Sequence, residues 1–204
     1  MRARPLALLL PILLAAGAAA ADDPARWPAP AAGLMAADAA SAAPPDFKRM
    51  LAKHPARLMD GVKAGLAASP ARDAAARRAA LASGARKIAK AIRDHRRFEE
   101  VGYEVGGLVA EASLLFPPKG GAADEASLLA VARAGATFRG YAAPPFAAPE
   151  TLVEAKLPAA TPREAYDSAL TLSARLLAWI WNAAGGDASV AAARPESKGP
   201  YTVR

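Results

Sequence analysis

The chain has 204 residues and a formal net charge of +7, enough length for one domain with a hydrophobic core but not for two of ordinary size. Alanine supplies 59 residues, whereas leucine, isoleucine, valine and phenylalanine together supply only 39, or about 19% of the chain. Cysteine is absent, which excludes disulfide bonds and thiol chemistry. Because alanine has the highest helix propensity and only 12 residues are valine or isoleucine, the composition favours helices over a β-sheet protein.

The N-terminus has the three parts of an export signal. Arg2 and Arg4 form a positively charged start, residues 6–14 are mostly apolar, and the alanines at 19–21 satisfy the small-residue rule for cleavage. The apolar part is too short for a transmembrane helix. We therefore predict a signal peptide over residues 1–21 and a periplasmic or secreted protein.

Six later segments have the apolar spacing or the capping residues of α-helices, which predicts an all-α fold, a single-domain bundle of about five to six helices. The predicted helices cover residues 33–42, 47–59, 70–97, 98–118, 124–133 and 162–184. Four capping signals support these starts: Asp46, Ser69, Asp124 and Thr161. Residues 61–68 contain two glycines and are predicted to be a short helical or irregular connector. The helical domain is predicted to span residues 22–186, and residues 187–204 to form a flexible tail.

The segment at residues 98–118 is predicted to be a core helix and carries the clearest functional clue. Its apolar residues fall on one helical stripe: Val101, Val105, Leu108, Val109, Ala112, Leu115 and Phe116. Glu100, Glu104 and Glu111 flank that stripe. Three carboxylates beside a core helix either border a polar or metal site or form a solvated edge, and the sequence leaves both interpretations open.

The predicted helix at residues 70–97 has a basic side. Four residues follow it at intervals of four, three and four positions, and we call them the basic ridge: Arg86, Lys90, Arg93 and Arg97. Such a ridge suits anionic groups, and anionic lipid or another envelope component is the candidate partner. The alternative is a solvated helix face, because no aromatic residue interleaves the charges. No motif for specific nucleic-acid recognition is present.

Few catalytic arrangements are available to this sequence. His54 and His95 are its only histidines, and neither lies in a recognisable nucleophile motif. The glycines at positions 102, 106 and 107 are not followed by the lysine and hydroxyl residue of a phosphate-binding loop. We therefore predict no catalytic and no cofactor-binding residue. The candidates for a metal site are the three acidic residues named above: Glu111, Glu104 and Glu100.

Three segments together carry a resemblance to a known family. They are WPAPAAGLMAADAASAAPPDFKRMLAKHPARLMDGV (27–62), GYEVGGLVAEASLLFPP (102–118) and AYDSALTLSARLLAWIWNAAG (165–185). In spacing they resemble a bacterial family of zinc-dependent phospholipases C and single-strand-specific nucleases. The resemblance implies an exported, all-helical protein whose mature chain starts near a tryptophan. The family's central-helix His and Asp fall on Glu111 and Leu115, so the resemblance implies the fold and compartment without the trinuclear zinc cluster.

Two functions follow as hypotheses. The first is an exported, non-catalytic relative of that family, with a binding or scaffold role at the cell envelope and no cofactor. Its binding surface would be the basic ridge or the groove beside the three glutamates. The alternative is a metal-dependent phosphodiester hydrolase with a reduced zinc site at Glu111 and its neighbours, where a metal-activated water is the nucleophile.

Overall fold

The computed structural model describes residues 26–68, 73–119, 124–141, 148–188 and 201–203. Within these ranges the chain forms eight helices and one antiparallel pair of three-residue strands, which confirms the predicted helical fold. The helices are α1 (Ala29–Ala42), α2 (Pro45–Leu51), α3 (Pro55–Ala68), α4 (Ala74–Arg93), α5 (Phe98–Leu115), α6 (Glu125–Arg133), α7 (Pro149–Val153) and α8 (Pro162–Ala183). The strands are β1 (Ala136–Phe138) and β2 (Tyr201–Val203). The predicted signal peptide lies outside the described residues.

Capping residues set the starts of three helices. The Asp124 side chain accepts a hydrogen bond from the Ser127 N–H at 2.7 Å, which starts α6 as predicted. Thr161 and Glu164 form the predicted capping box at the start of α8. The start of α4 differs, because Asp73 is its N-cap and the predicted signal at residues 69–70 lies outside the described residues.

Two predicted helices end earlier than expected. The segment at residues 47–59 is divided into α2 and α3, because Pro55 has no N–H and disfavours a helical conformation in the residue before it. Its predicted N-cap is also wrong, since α2 begins at Pro45 and Asp46 lies inside its first turn. Similarly, α4 ends at Arg93 and is followed by a turn in which His95 has a φ of 55°. The division into α2 and α3 and the additional five-residue α7 account for the larger number of helices.

Helix α8 is the most enclosed element of the fold. Every residue from Ala165 to Ala178 is buried, and α8 contacts α1, α4, α5, α6, α7 and β1. The large residues that it places in the core are Tyr166, Leu170, Leu172, Leu176, Leu177 and Ile180. A buried polar group on the same helix is satisfied, because the Tyr166 hydroxyl donates to Asp38 at 2.9 Å.

One side of α8 is polar and holds the strand β1. Three side chains one turn apart bond to the backbone of β1 and of the two residues after it. Asp167 Oδ1 accepts from the Thr137 N–H of β1 (2.9 Å). Beyond the strand, Thr171 Oγ1 accepts from the Arg139 N–H (3.2 Å) and Arg175 Nε donates to the Gly140 carbonyl (2.8 Å). Burial raises the pKa of Asp167 above its ordinary value of 3.8. The opposite edge of β1 pairs with β2, so the last described residues of the predicted tail form a strand, while residues 189–200 lie outside the described ranges.

Helices α3 and α5 pack through their backbones. A Cβ atom at Gly61 would overlap the carbonyl oxygen of Tyr103, and one at Gly106 would overlap the carbonyl oxygen of Leu58. At Gly65 a Cβ would come within 2.8 Å of the Ala110 side chain. The predicted connector at residues 61–68 is thus helical and continuous with α3, because its glycines allow this close approach.

Candidate functional site

A groove of about 380 Å³ lies between α3, α4 and α5. Its floor consists of small residues, chiefly Gly61, Ala64, Gly65, Ala80, Gly84 and Gly107. The glycines that let α3 approach α5 also leave this surface without long side chains. We call it the glycine groove. Larger side chains stand along its α4 and α5 sides: Lys87, Ile88, Tyr103, Glu104, Leu108 and Glu111.

Glu111, the main candidate for a metal ligand, forms an ion pair with an arginine of α4. Its Oε1 lies 3.1 Å from a guanidinium nitrogen of Arg77. Both side chains are largely buried, with 14% of Glu111 and 7% of Arg77 exposed. Because a buried charge is stable only when it is paired, this contact joins α4 to α5 and neutralises the carboxylate.

Glu104 and Glu100 also face cations. Glu104 Oε1 lies 3.1 Å from Lys87 Nζ and 3.4 Å from a guanidinium nitrogen of Arg96. The other guanidinium nitrogen of Arg96 binds Glu100. The second carboxylate oxygen of Glu104, Oε2, is buried and has no hydrogen-bond partner among the described residues. The α5 carboxylates are therefore held by three basic residues that the sequence interpretation did not connect with them.

The candidate metal ligands are spread along α5. Glu104 and Glu111 lie on α5 about 10.5 Å apart along the helix axis, since each residue advances it by about 1.5 Å. Within the described ranges no group of three or more histidine, aspartate or glutamate side chains is placed to hold a metal ion. What the groove presents is an apolar floor between charged pairs.

Three residues of the basic ridge occupy the exposed side of α4, and the fourth does not. Arg97 comes after the end of α4 and is the N-cap of α5. An oxygen atom lies close to each of the four side chains. Arg86 makes two hydrogen bonds to Glu150 (2.6 and 2.8 Å), and Lys90 pairs with Asp94. Arg93 lies 3.4 Å from the Ala183 carbonyl oxygen, and Arg97 pairs with Glu99 (2.7 Å). The Lys90 hydrogen bond holds the pKa of Asp94 below its ordinary value. Much of the ridge's charge is compensated inside the protein.

The spacing of small and charged residues in the sequence indicates the groove, although the spacing of apolar residues does not. Arg77, Gly84 and Lys87 are separated by seven and three positions, so they lie on one side of α4. Small residues four positions apart, Gly61 and Gly65, mark the facing side of α3. Grouping small and charged residues by helical face would have located this surface.

No helix in the described part of the chain combines the length and apolar character needed to cross a membrane. Comparisons with protein-family models, with curated proteins and with solved structures find no match. The resemblance to zinc-dependent phospholipases C and single-strand-specific nucleases stays a prediction.

Proposed function

We propose that this chain is an exported, non-catalytic helical protein with a binding role at the cell envelope, and that its ligand lies in the glycine groove. Export rests on the charged, apolar and small-residue parts of residues 1–21. The binding role rests on one observation: an open apolar floor between three tightly packed helices. Concave, mostly apolar surfaces of a few hundred Å³ are typical of small-molecule sites.

The charges along the groove indicate what kind of ligand it suits. Glu111 is paired with Arg77, and Glu104 is paired with Lys87. Arg96 is shared between Glu104 and Glu100, so three carboxylates face three basic side chains. A ligand with a full charge would compete with these pairs. A neutral molecule with an apolar body fits better, because it leaves these ion pairs in place.

The alternative, a phosphodiester hydrolase with a reduced zinc site, places different demands on the same residues. A catalytic zinc site needs about three protein ligands and an open position for water. To bind zinc, Glu111 would have to break its ion pair with Arg77, and the buried guanidinium would lose this carboxylate. Elemental analysis of the purified protein tests this alternative. If zinc were bound in a one-to-one ratio, survived dialysis and were lost in Glu111→Ala, the hydrolase would replace the binding proposal.

A neutral apolar fluorophore tests the groove directly. N-phenyl-1-naphthylamine should bind the purified protein saturably with an increase in fluorescence. Ala80→Phe should weaken this binding about tenfold or more, since the ring would fill the groove that Ala80 lines, and tenfold corresponds to ~1.4 kcal/mol. Ala79→Phe is the matched control, because Ala79 is exposed on the same helix and does not line the groove.

Equal affinity of the wild type, Ala80→Phe and Ala79→Phe proteins would contradict the proposal, as would the absence of saturable binding. Circular dichroism of each variant establishes that the helices are intact, so that lost binding is not caused by unfolding.

A further inference from the structure

A second cavity of about 530 Å³ lies where α4 and α8 end and α5 begins, and we call it the terminal cavity. Apolar side chains supply part of its lining: Met50, Ile92, Phe98 and Trp181. Basic side chains supply another part, Arg93, His95 and Arg96, and the residues that follow α8 complete it, Ala184, Gly185 and Gly186. We propose that the terminal cavity binds a small organic anion with a planar apolar body, such as an aromatic carboxylate. This site is separate from the glycine groove and does not depend on it.

The apolar wall of the terminal cavity is fixed before any ligand arrives. The Trp181 indole stacks on Phe47 with ring centres 5.1 Å apart and an angle of 11° between the planes. Phe98 meets Phe47 edge to face at 6.4 Å. Gly185 has a φ of 90° and turns the chain so that Gly186 packs on the indole, where a Cβ would overlap the ring. Held in place by these contacts, the aromatic wall loses little conformational freedom when a planar ligand packs beside it.

The basic side chains of the cavity differ in how far they are already neutralised. Arg96 is held by Glu100 and Glu104. Arg93, by contrast, lies 3.4 Å from the Ala183 carbonyl oxygen and forms no ion pair with a described carboxylate, although its charge helps to lower the pKa of the adjacent Asp94. The imidazole of His95 is exposed and likewise makes no ion pair with a described residue. Arg93 and His95 are therefore the groups with donors to offer to an incoming anion.

The backbone around the terminal cavity also favours a negatively charged ligand. Phe98 is the first residue of α5, and the N-cap residue Arg97 makes no side-chain cap hydrogen bond. The first N–H groups of a helix carry partial positive charge and favour an anion nearby. The acidic residues of that first turn, Glu99 and Glu100, are paired with Arg97 and Arg96 and do not cancel this preference. An anion with an aromatic body would meet the guanidinium groups at the open side of the cavity and the apolar side chains of its wall.

A pair of related fluorophores separates the two cavities. The anionic probe 8-anilinonaphthalene-1-sulfonate should bind the terminal cavity, and Arg93→Gln should weaken its binding about tenfold by removing a charge-assisted contact. His95→Asn should weaken it about threefold, and asparagine is chosen because it tolerates the positive φ at this position. Neither change should alter binding of the neutral N-phenyl-1-naphthylamine by more than about twofold.

Two control variants make the result specific. Arg86→Gln removes a cation from the same helix but outside the cavity, so anion binding should stay within about twofold of the wild type. Ala80→Phe should leave anion binding unchanged while weakening the neutral probe. If Arg86→Gln weakened the anion as much as Arg93→Gln does, diffuse attraction to the basic ridge would explain the binding and the proposal would be overturned.

Three further outcomes would overturn it. Unchanged anion binding in Arg93→Gln would remove the proposed role of the guanidinium. Loss of anion binding in Ala80→Phe would place the probe in the glycine groove instead. Sedimentation with phosphatidylglycerol vesicles gives the third outcome. If Arg93→Gln reduced the fraction of protein that sediments with the vesicles but left binding of the anionic probe unchanged, Arg93 would contact a membrane rather than a ligand in the cavity. Failure of the neutral probe to bind, with anion binding intact, would remove the groove proposal alone.

Discussion

The α3–α5 contact and the helix α8 are both tightly packed, but by opposite means. In α8, large residues such as Leu170 and Tyr166 fill the space between elements. Between α3 and α5, the absence of side chains at Gly61 and Gly106 lets the backbones touch. A chain with few large apolar residues can therefore form a core in two ways. Many of its large buried residues lie on the central helix α8, and glycines let the helices α3 and α5 approach closely. The second solution leaves an open surface of small residues beside it, the glycine groove.

The largest expected effect comes from removing volume at α8. Leu170→Ala should lower the free energy of unfolding by about 3 to 4 kcal/mol, because the Leu170 side chain is fully buried and its loss leaves a cavity. Leu129→Ala, at a half-buried position on α6, should cost about half as much. Urea unfolding followed by circular dichroism measures both. Equal losses would show that α8 is not the better-packed region.

Adding volume at the α3–α5 contact should be the next most damaging change. Gly106→Ala places a Cβ against the Leu58 carbonyl and the Val62 N–H, which are backbone atoms that cannot turn aside, so we expect a loss of about 2 to 3 kcal/mol. Gly107→Ala is the matched control, since its Cβ would come no closer than 3.9 Å to a neighbouring atom. It should stabilise the protein by about 0.5 to 1 kcal/mol through higher helix propensity.

The same urea titration distinguishes the two glycine variants. A Gly106→Ala protein as stable as the wild type would mean that α3 and α5 are not in backbone contact. A loss in Gly107→Ala as large as that in Gly106→Ala would point to a general intolerance of side chains on α5.

The smallest expected effect is a pH dependence at the polar side of α8. Burial raises the folded-state pKa of Asp167 above 3.8, so the folded protein binds this proton more tightly than the unfolded chain does. Its contribution to stability is therefore fully present below about pH 3.8 and is lost as the pH rises through the raised pKa. Asp167→Asn should remove this contribution, because an amide side chain does not titrate in this range. The asparagine oxygen can still accept the hydrogen bond from the Thr137 N–H.

Unfolding free energies of the wild type and Asp167→Asn proteins, compared at several pH values from 3 to 7, measure the effect of the carboxyl group. The wild type should lose stability relative to the variant as the pH increases. Asp124, whose pKa is lowered by the Ser127 N–H bond, has the opposite sign and loses its contribution as the pH falls below about 3.8. If the stability of the wild type relative to Asp167→Asn stayed constant or rose with increasing pH, the assignment would be contradicted.

Local signals in the sequence located several elements well. The capping box at Thr161 and Glu164 starts α8 in the structure as predicted, because it is formed by residues three positions apart. The apolar stripe of α5 was also located correctly, since Val101, Val105 and Val109 are all buried. The metal candidates, by contrast, could not be assessed from α5 alone. Arg77 lies 34 positions before Glu111, and no local pattern indicates that the two side chains form an ion pair.

By itself the sequence determined the helical class, most of the helices and the caps that start α6 and α8, because alanine propensity, apolar period and capping act within a few residues. Only the tertiary structure decided what the glycines and charges do. Gly61 and Gly65 weaken a helix in isolation, yet beside α5 they permit a backbone contact and open a groove. Which cation faces which carboxylate depends on how α4 lies against α5, and that packing is a property of the whole chain.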